Sequence, residues 1–160
     1  MTALWMVFAI ACITGVYALV DANYMQATPT MVSVTTAQSM SAYRQALVAY
    51  ALANPTFVGA VSAAALQPYL SAGTTSGSWL NYVVPNTSSA GSLVVVYTTS
   101  ASAAAALTGI EQLSGGSALA GVALNGTVLS PGNPAVPLPT AIAAVVPNGT
   151  PVWMAQAYQP

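Results

Sequence analysis

Residues Ala3 to Val20 read ALWMVFAIACITGVYALV, eighteen consecutive positions in which Thr14 is the only polar side chain that is neither aromatic nor sulfur-bearing. At a helical rise of ~1.5 Å per residue such a run spans about 27 Å, close to the apolar thickness of a bilayer. Trp5 lies near one end, Tyr17 and Tyr24 near the other, and Asp21 closes the run. Aromatic rings with a polar edge favour the membrane interface, so the pattern predicts a transmembrane anchor over 1–22. A cleavable signal peptide is the competing reading, since Val20-Asp21-Ala22 resembles a small-residue cleavage pattern. Against it, no Lys or Arg precedes the run, and the run is long for a signal peptide. Within it, Ala11 and Gly15 form a small-xxx-small pair suited to helix–helix packing in the membrane. Cys12 reads as a small residue of the apolar helix, and as the single cysteine it has no intrachain disulfide partner.

Nothing else in the chain is as long and as apolar, so the remaining sequence reads as a folded domain with its connection: a linker over 23–31 and an α+β domain over 32–160. The two residues before the run are too few to fold. The Ser-, Thr- and Ala-rich remainder, without Lys, suits an extracytoplasmic compartment, with the N-terminus cytoplasmic.

Charge matters here by its scarcity. Only Asp21, Arg44 and Glu111 are charged, and there is no histidine. One arginine cannot neutralise a run of phosphates, which excludes nucleic acid as a partner. Metal sites draw on His, Cys and clustered carboxylates, none of which this chain supplies in number, so no metal or cofactor is expected. A serine nucleophile would lack a His or Lys base, and two carboxylates 90 positions apart form no acid–base pair. The expectation is therefore not an enzyme, with no catalytic residues and no small-molecule substrate, working instead through shape, apolar surface and neutral hydrogen bonds.

Along the domain, Val32 to Ala53 is rich in helix formers and stops at Asn54-Pro55, with Met40, Leu47 and Ala51 on one face and Tyr43 and Arg44 towards its edge. A helical turn is predicted from Ser62 to Leu66 with Ser62 as N-cap. Trp79 to Val84 and Leu93 to Thr98 read as strands, and Ser102 to Leu113 as an Ala-rich helix ended by Gly115-Gly116. Asn125-Gly126 between Ala118–Leu124 and Thr127–Ser130 is a strong hairpin signal. The Pro-rich stretch Pro131 to Pro139 reads as an ordered loop, followed by a short apolar segment to Val146, a turn at Pro147-Asn148-Gly149 and a last strand over 152–155. The result is helices packed on an antiparallel sheet of four or five strands.

Arg44, flanked by Tyr43 and Tyr50 on the predicted helix, is the candidate contact to a partner, either through a partner carboxylate or by pairing with Glu111. The alternative for Arg44 is a surface side chain lying over apolar neighbours. The rings of Tyr69, Trp79, Tyr82, Trp153 and Tyr158 are expected in the core or on the sheet. Sequons at Asn86, Asn125 and Asn148 read as turn residues rather than glycosylation sites.

The order of motifs resembles a known family. The anchor is followed by Ala42-Tyr43-Arg44-Gln45-Ala46-Leu47-Val48-Ala49-Tyr50 and Ala53-Asn54-Pro55. Further on come Gly59-Ala60-Val61, Ala65-Leu66, Trp79, Leu124-Asn125-Gly126, Leu138-Pro139 and Val146-Pro147-Asn148-Gly149-Thr150-Pro151-Val152. This is similar to the small PilM proteins of type IVb and thin-pilus systems, including those of conjugative plasmids, which are distinct from an actin-like cytoplasmic protein sharing that name. The resemblance implies a bacterial inner-membrane, single-pass protein with a periplasmic domain, part of the pilin transport apparatus and pilus basal body. Its implied partners are other pilus-assembly proteins or pilin, and it implies no catalytic residues. A pilin-like or minor-pilin subunit of the fibre is the nearest rival, and a secreted adhesin-like domain after signal cleavage a more remote one. The pilin processing pattern, a glycine before the cut and a glutamate five residues into the mature chain, is missing: Gly15 is the only glycine among the first 50 residues and its fifth successor is Val20.

Overall fold

The computed structural model describes residues 31–71, 78–87 and 89–158. The predicted anchor, with Ala11 and Gly15, lies outside the described residues, as does the linker up to position 30. No helix among the described residues is long and apolar enough to cross a membrane.

Helix α1 (Met31–Ala53) runs for 23 residues. It ends where Asn54 and Pro55 break the ladder, and Asn54 Nδ2 donates back to the Tyr50 carbonyl at 3.0 Å. The single-turn α2 (Ala63–Leu66) begins as expected, with Ser62 Oγ accepting from Ala65 N–H at 3.3 Å, and continues into a 3₁₀ turn over Gln67–Tyr69. Strands β1 (Leu80–Pro85) and β2 (Ser92–Tyr97) form a hairpin. The predicted Ala-rich helix divides into a 3₁₀ segment, Ala101–Ala106, and α3 (Leu107–Leu113). Gly115 and Gly116 end it at φ of 62° and 73°, where Gly116 N–H reaches the Glu111 carbonyl at 3.1 Å. Strands β3 (Ala120–Leu124) and β4 (Thr127–Leu129) meet at Asn125-Gly126, both left-handed at φ 50° and 73°, as a type I′ turn requires. Short β5 (Val136–Pro137) and α4 (Thr140–Ala143) precede β6 (Pro151–Ala157).

The strands form one antiparallel sheet in the order β1-β2-β6-β3-β4-β5. Six strands correct the expected four or five. The extra one lies inside the Pro-rich stretch read as a loop, where Thr127 and Val128 of β4 pair with Pro137 and Val136. Proline is tolerated there because β5 is an edge strand. Likewise, the apolar segment before Val146 begins as helix α4.

β6, last in sequence, sits between β2 and β3 and is buried on both faces, so it reads PVWMAQA with little alternation. One face carries Val83, Val94, Val96, Trp153 and Ala155 against Met40, Leu47 and Ala51 of α1 and Ile110 of α3. The other carries Val95, Val128, Val152 and Met154 under Leu138, Ile142 and Val146. Of the five rings expected in the core or on the sheet, Trp79 and Trp153 are buried and Tyr82 is half-buried on β1, whereas Tyr69 and Tyr158 are exposed. Tyr69 is the last residue of the 3₁₀ turn and Tyr158 the first after β6, both at the ends of their elements.

Candidate functional site around Arg44

The apolar stripe of α1 passes through Ser33, Ala37, Met40, Leu47 and Ala51. Steps of four and three residues carry a helix face inward, and the position completing the series between Met40 and Leu47 is 44. Arg44 therefore projects from the core stripe, not from its edge as expected, and its guanidinium comes to rest 4.4 Å from the centre of the Trp153 ring on β6. Trp153 is itself 3% exposed. A cation held over an indole face is stabilised by about 0.5–2 kcal/mol, depending on desolvation.

That contact leaves Arg44 incompletely served. Its Nε is buried and has no hydrogen-bond partner. Burial lowers its pKa below the usual arginine value. The pairing with Glu111 does not form: burial is the sole influence on the pKa of the Arg44 guanidinium, and no ion pair joins Arg44 and Glu111, the two charged side chains among the described residues. Glu111 sits near the end of α3, one turn before the Gly115-Gly116 stop. The Arg44 side chain instead lines a groove of about 330 Å³ with Leu113, Ser117, Leu119, Trp153 and Gln156 among its walls.

The two tyrosines grouped with Arg44 lie elsewhere. Tyr43 is 3% exposed and its hydroxyl accepts from Asn81 Nδ2 at 2.7 Å. Burial raises its pKa, and the Asn81 bond offsets part of that rise. Asn81 is the buried polar hub that sequence reasoning missed. Its Oδ1 accepts from Val61 N–H at 2.7 Å and its Nδ2 also donates to the Val61 carbonyl at 2.9 Å. One side chain thus joins α1, the segment before α2 and β1. A lone Asn within LNYVVP carries no sequence signal for this. Tyr50 is half-buried in a third place, edge-on to Phe57 at 5.3 Å and Tyr69 at 5.9 Å.

The neighbouring helix is fixed by close approach. Gly109 N–H of α3 donates to Ser33 Oγ at 3.0 Å, and a Cβ at Gly109 would stand 2.7 Å from the Ser33 carbonyl oxygen. This contact holds α3 against the first turns of α1, and Leu113 at the other end of α3 lines the Arg44 groove.

The sequon asparagines have structural partners. Asn125 N–H donates to Asn148 Oδ1 at 2.8 Å and Asn148 Nδ2 donates to Asn125 Oδ1 at 3.3 Å, clasping two turns together, while Asn86 Nδ2 donates to Gln156 Oε1 at 3.0 Å.

Among the described residues no group of three or more His, Cys, Asp or Glu side chains could hold a metal ion. Chemically, the Arg44 groove offers a partly desolvated cation beside apolar walls and hydroxyls, a setting for recognising a carboxylate.

No curated protein and no solved structure matches the chain. The family model described as PilM matches residues 7–154, nearly the whole sequence, and the chain belongs to the PilM family.

Proposed function

We propose that this protein is a membrane-anchored structural component of a type IVb pilus apparatus of the conjugative or thin-pilus kind. In this reading it acts in pilus biogenesis or the basal body through protein–protein contacts and performs no chemistry of its own. The observation that carries the reading is the PilM family match over residues 7–154. The apolar run from Ala3 to Val20 supports an inner-membrane anchor, with the α+β domain on the periplasmic side. Partners would be pilin or other assembly proteins. Because only three side chains are charged, those contacts rely on shape and neutral groups and should weaken little between low and moderate salt.

Deletion of the gene and complementation, read by electron microscopy of the pili, tests the role. Loss of pili, restored by the intact chain, supports it, and normal piliation of the deletion strain overturns it. N-terminal sequencing of the protein recovered from membranes tests the anchor. A start at residue 1 or 2 fits a basal-body component. A start inside the apolar run, with the protein in sheared fibres, assigns it to the fibre, and a start near Asn23 makes it a secreted domain.

A further inference from the structure

β6 is paired on both sides for only part of its length. On the β2 side the ladder runs from Val152 to Ala157. On the β3 side it stops at the pair Ala120 and Trp153. One more bond lies beyond that pair, Met154 N–H to the Leu119 carbonyl at 2.7 Å. It is not returned, because Leu119 N–H donates to Ser117 Oγ at 3.2 Å. The turn that includes Ala120 N–H to the Ser117 carbonyl, at 3.1 Å, carries the chain away from the sheet.

In an antiparallel ladder the N–H and C=O of one residue face the same side, and alternate residues face alternate neighbours. Met154 N–H faces β3, so the peptide groups of Gln156 face that side too. The Met154 carbonyl and both Gln156 groups therefore open onto the space β3 has vacated, with no partner among the described residues. The Arg44 groove occupies the same place, lined by Met154, Ala155 and Gln156 of β6 as well as by Arg44. An exposed strand edge is a template for another chain, and here a buried, unpartnered guanidinium nitrogen stands beside it.

We propose that the open half of β6 takes an extended segment of a partner protein by strand addition, with an acidic side chain of that segment on the Arg44 guanidinium. This rests on the reading of the protein as an assembly component that works through protein contacts. Charge complementarity selects the occupant: Arg44 is the only cationic side chain in the sequence. A second copy of this chain fits poorly, since its acids are Asp21, at the end of the apolar run, and Glu111, which lies in helix α3 and not in an extended segment. Backbone pairing supplies the affinity in this mode, and the side chain facing Arg44 supplies the selectivity.

The test uses the full chain in detergent micelles and two dye-labelled, acetylated heptapeptides of alternating Thr and Val, one with a central Glu and one with a central Gln. Binding is read by anisotropy, and amide hydrogen exchange is followed at Gln156 and Met154. The Glu peptide should bind at least tenfold more tightly than the Gln peptide, and Arg44→Gln should abolish that difference. Gln156→Pro removes an N–H that faces the open side and no backbone bond to β2, but also the side-chain bond from Asn86, so it should weaken both peptides at least tenfold relative to Gln156→Ala, which loses the same side-chain bond and keeps the N–H. The Gln156 amide should exchange faster than that of Met154 in the free chain and become protected when peptide binds. Absence of Glu-peptide binding up to millimolar concentration overturns the proposal. So does an unchanged Glu preference in Arg44→Gln, or a Gln156 amide as protected as Met154 in the free chain. Protection that rises with the protein's own concentration assigns the edge to a second copy instead. Should Gln156→Pro not fold, the Arg44→Gln and exchange measurements still decide. Normal piliation of the deletion strain would refute the pilus role and leave the peptide result standing, so the two failures are distinguishable.

Discussion

Tyr43 and Arg44 are neighbours in sequence, both polar and both on the covered side of α1, yet they end in opposite conditions. The Tyr43 hydroxyl meets Asn81, and every polar atom of the Asn81 amide has a partner. Arg44 meets the Trp153 ring with a buried Nε left over. A satisfied buried polar group secures the packing of the elements it joins. An unsatisfied one costs stability, because it has given up water without gaining a partner. The contrast separates a polar pair that ties elements of the fold together from a polar side chain with bonding capacity left over, the one the strand-addition proposal uses.

The strongest way to break that contrast is Asn81→Ala. It strands the Val61 N–H and carbonyl together with the Tyr43 hydroxyl, and should lower unfolding free energy by about 3 kcal/mol in a denaturant titration. A loss below about 1 kcal/mol would show that the hub is not a structural one. Gly109→Ala should come next, at about 2 kcal/mol, because its Cβ would press on the Ser33 carbonyl and the Ala37 side chain where α1 and α3 touch. It should also shift the Leu113 wall of the groove, seen as a change in Trp153 fluorescence.

Tyr43→Phe should cost about 1 kcal/mol at neutral pH. It also sharpens the comparison through pH. Burial raises the folded-state pKa of Tyr43 and Tyr97 above the unfolded value of about 10. The stability tied to this is fully present below about pH 10 and is lost as pH rises through the folded-state values, because the unfolded chain ionises first. Alkaline titration of the melting temperature should show this fall, and Tyr43→Phe should reduce it. Arg44→Met should change stability least, by under about 1 kcal/mol in either direction. The lost ring contact is offset by removing a desolvated charge, and Met fills the same apolar path. A loss of 3 kcal/mol or more would place Arg44 with Tyr43, as part of the structural framework.

Much of the framework was legible from residues alone. The limits of α1 came from its apolar periodicity and the Asn54-Pro55 stop, and the Asn125-Gly126 hairpin from the two left-handed positions its turn demands. The β5 strand was not legible, since Val136-Pro137 owes its pairing to β4 alone. The groove was not read from the sequence: Arg44 is expected there at the edge of the apolar face, although the steps from Met40 to Leu47 pass through position 44 and put it on the covered stripe. Trp153 and the open edge of β6 lie more than 100 positions further on, and no local pattern links them to it.

By itself the sequence determined what this protein has to work with: one arginine, two carboxylates, no histidine, an apolar N-terminal run and a set of turn residues that place helices and strands. Those are local properties, set by side-chain chemistry and by the periods of helix and strand. Tertiary structure alone decided which neighbour each polar group meets. Inserting the last strand between β2 and β3 put Trp153 under Arg44, and the early departure of β3 left Gln156 facing open space. Long-range pairing is chosen by how the whole set of apolar faces packs, and a reading of neighbouring residues does not contain that information.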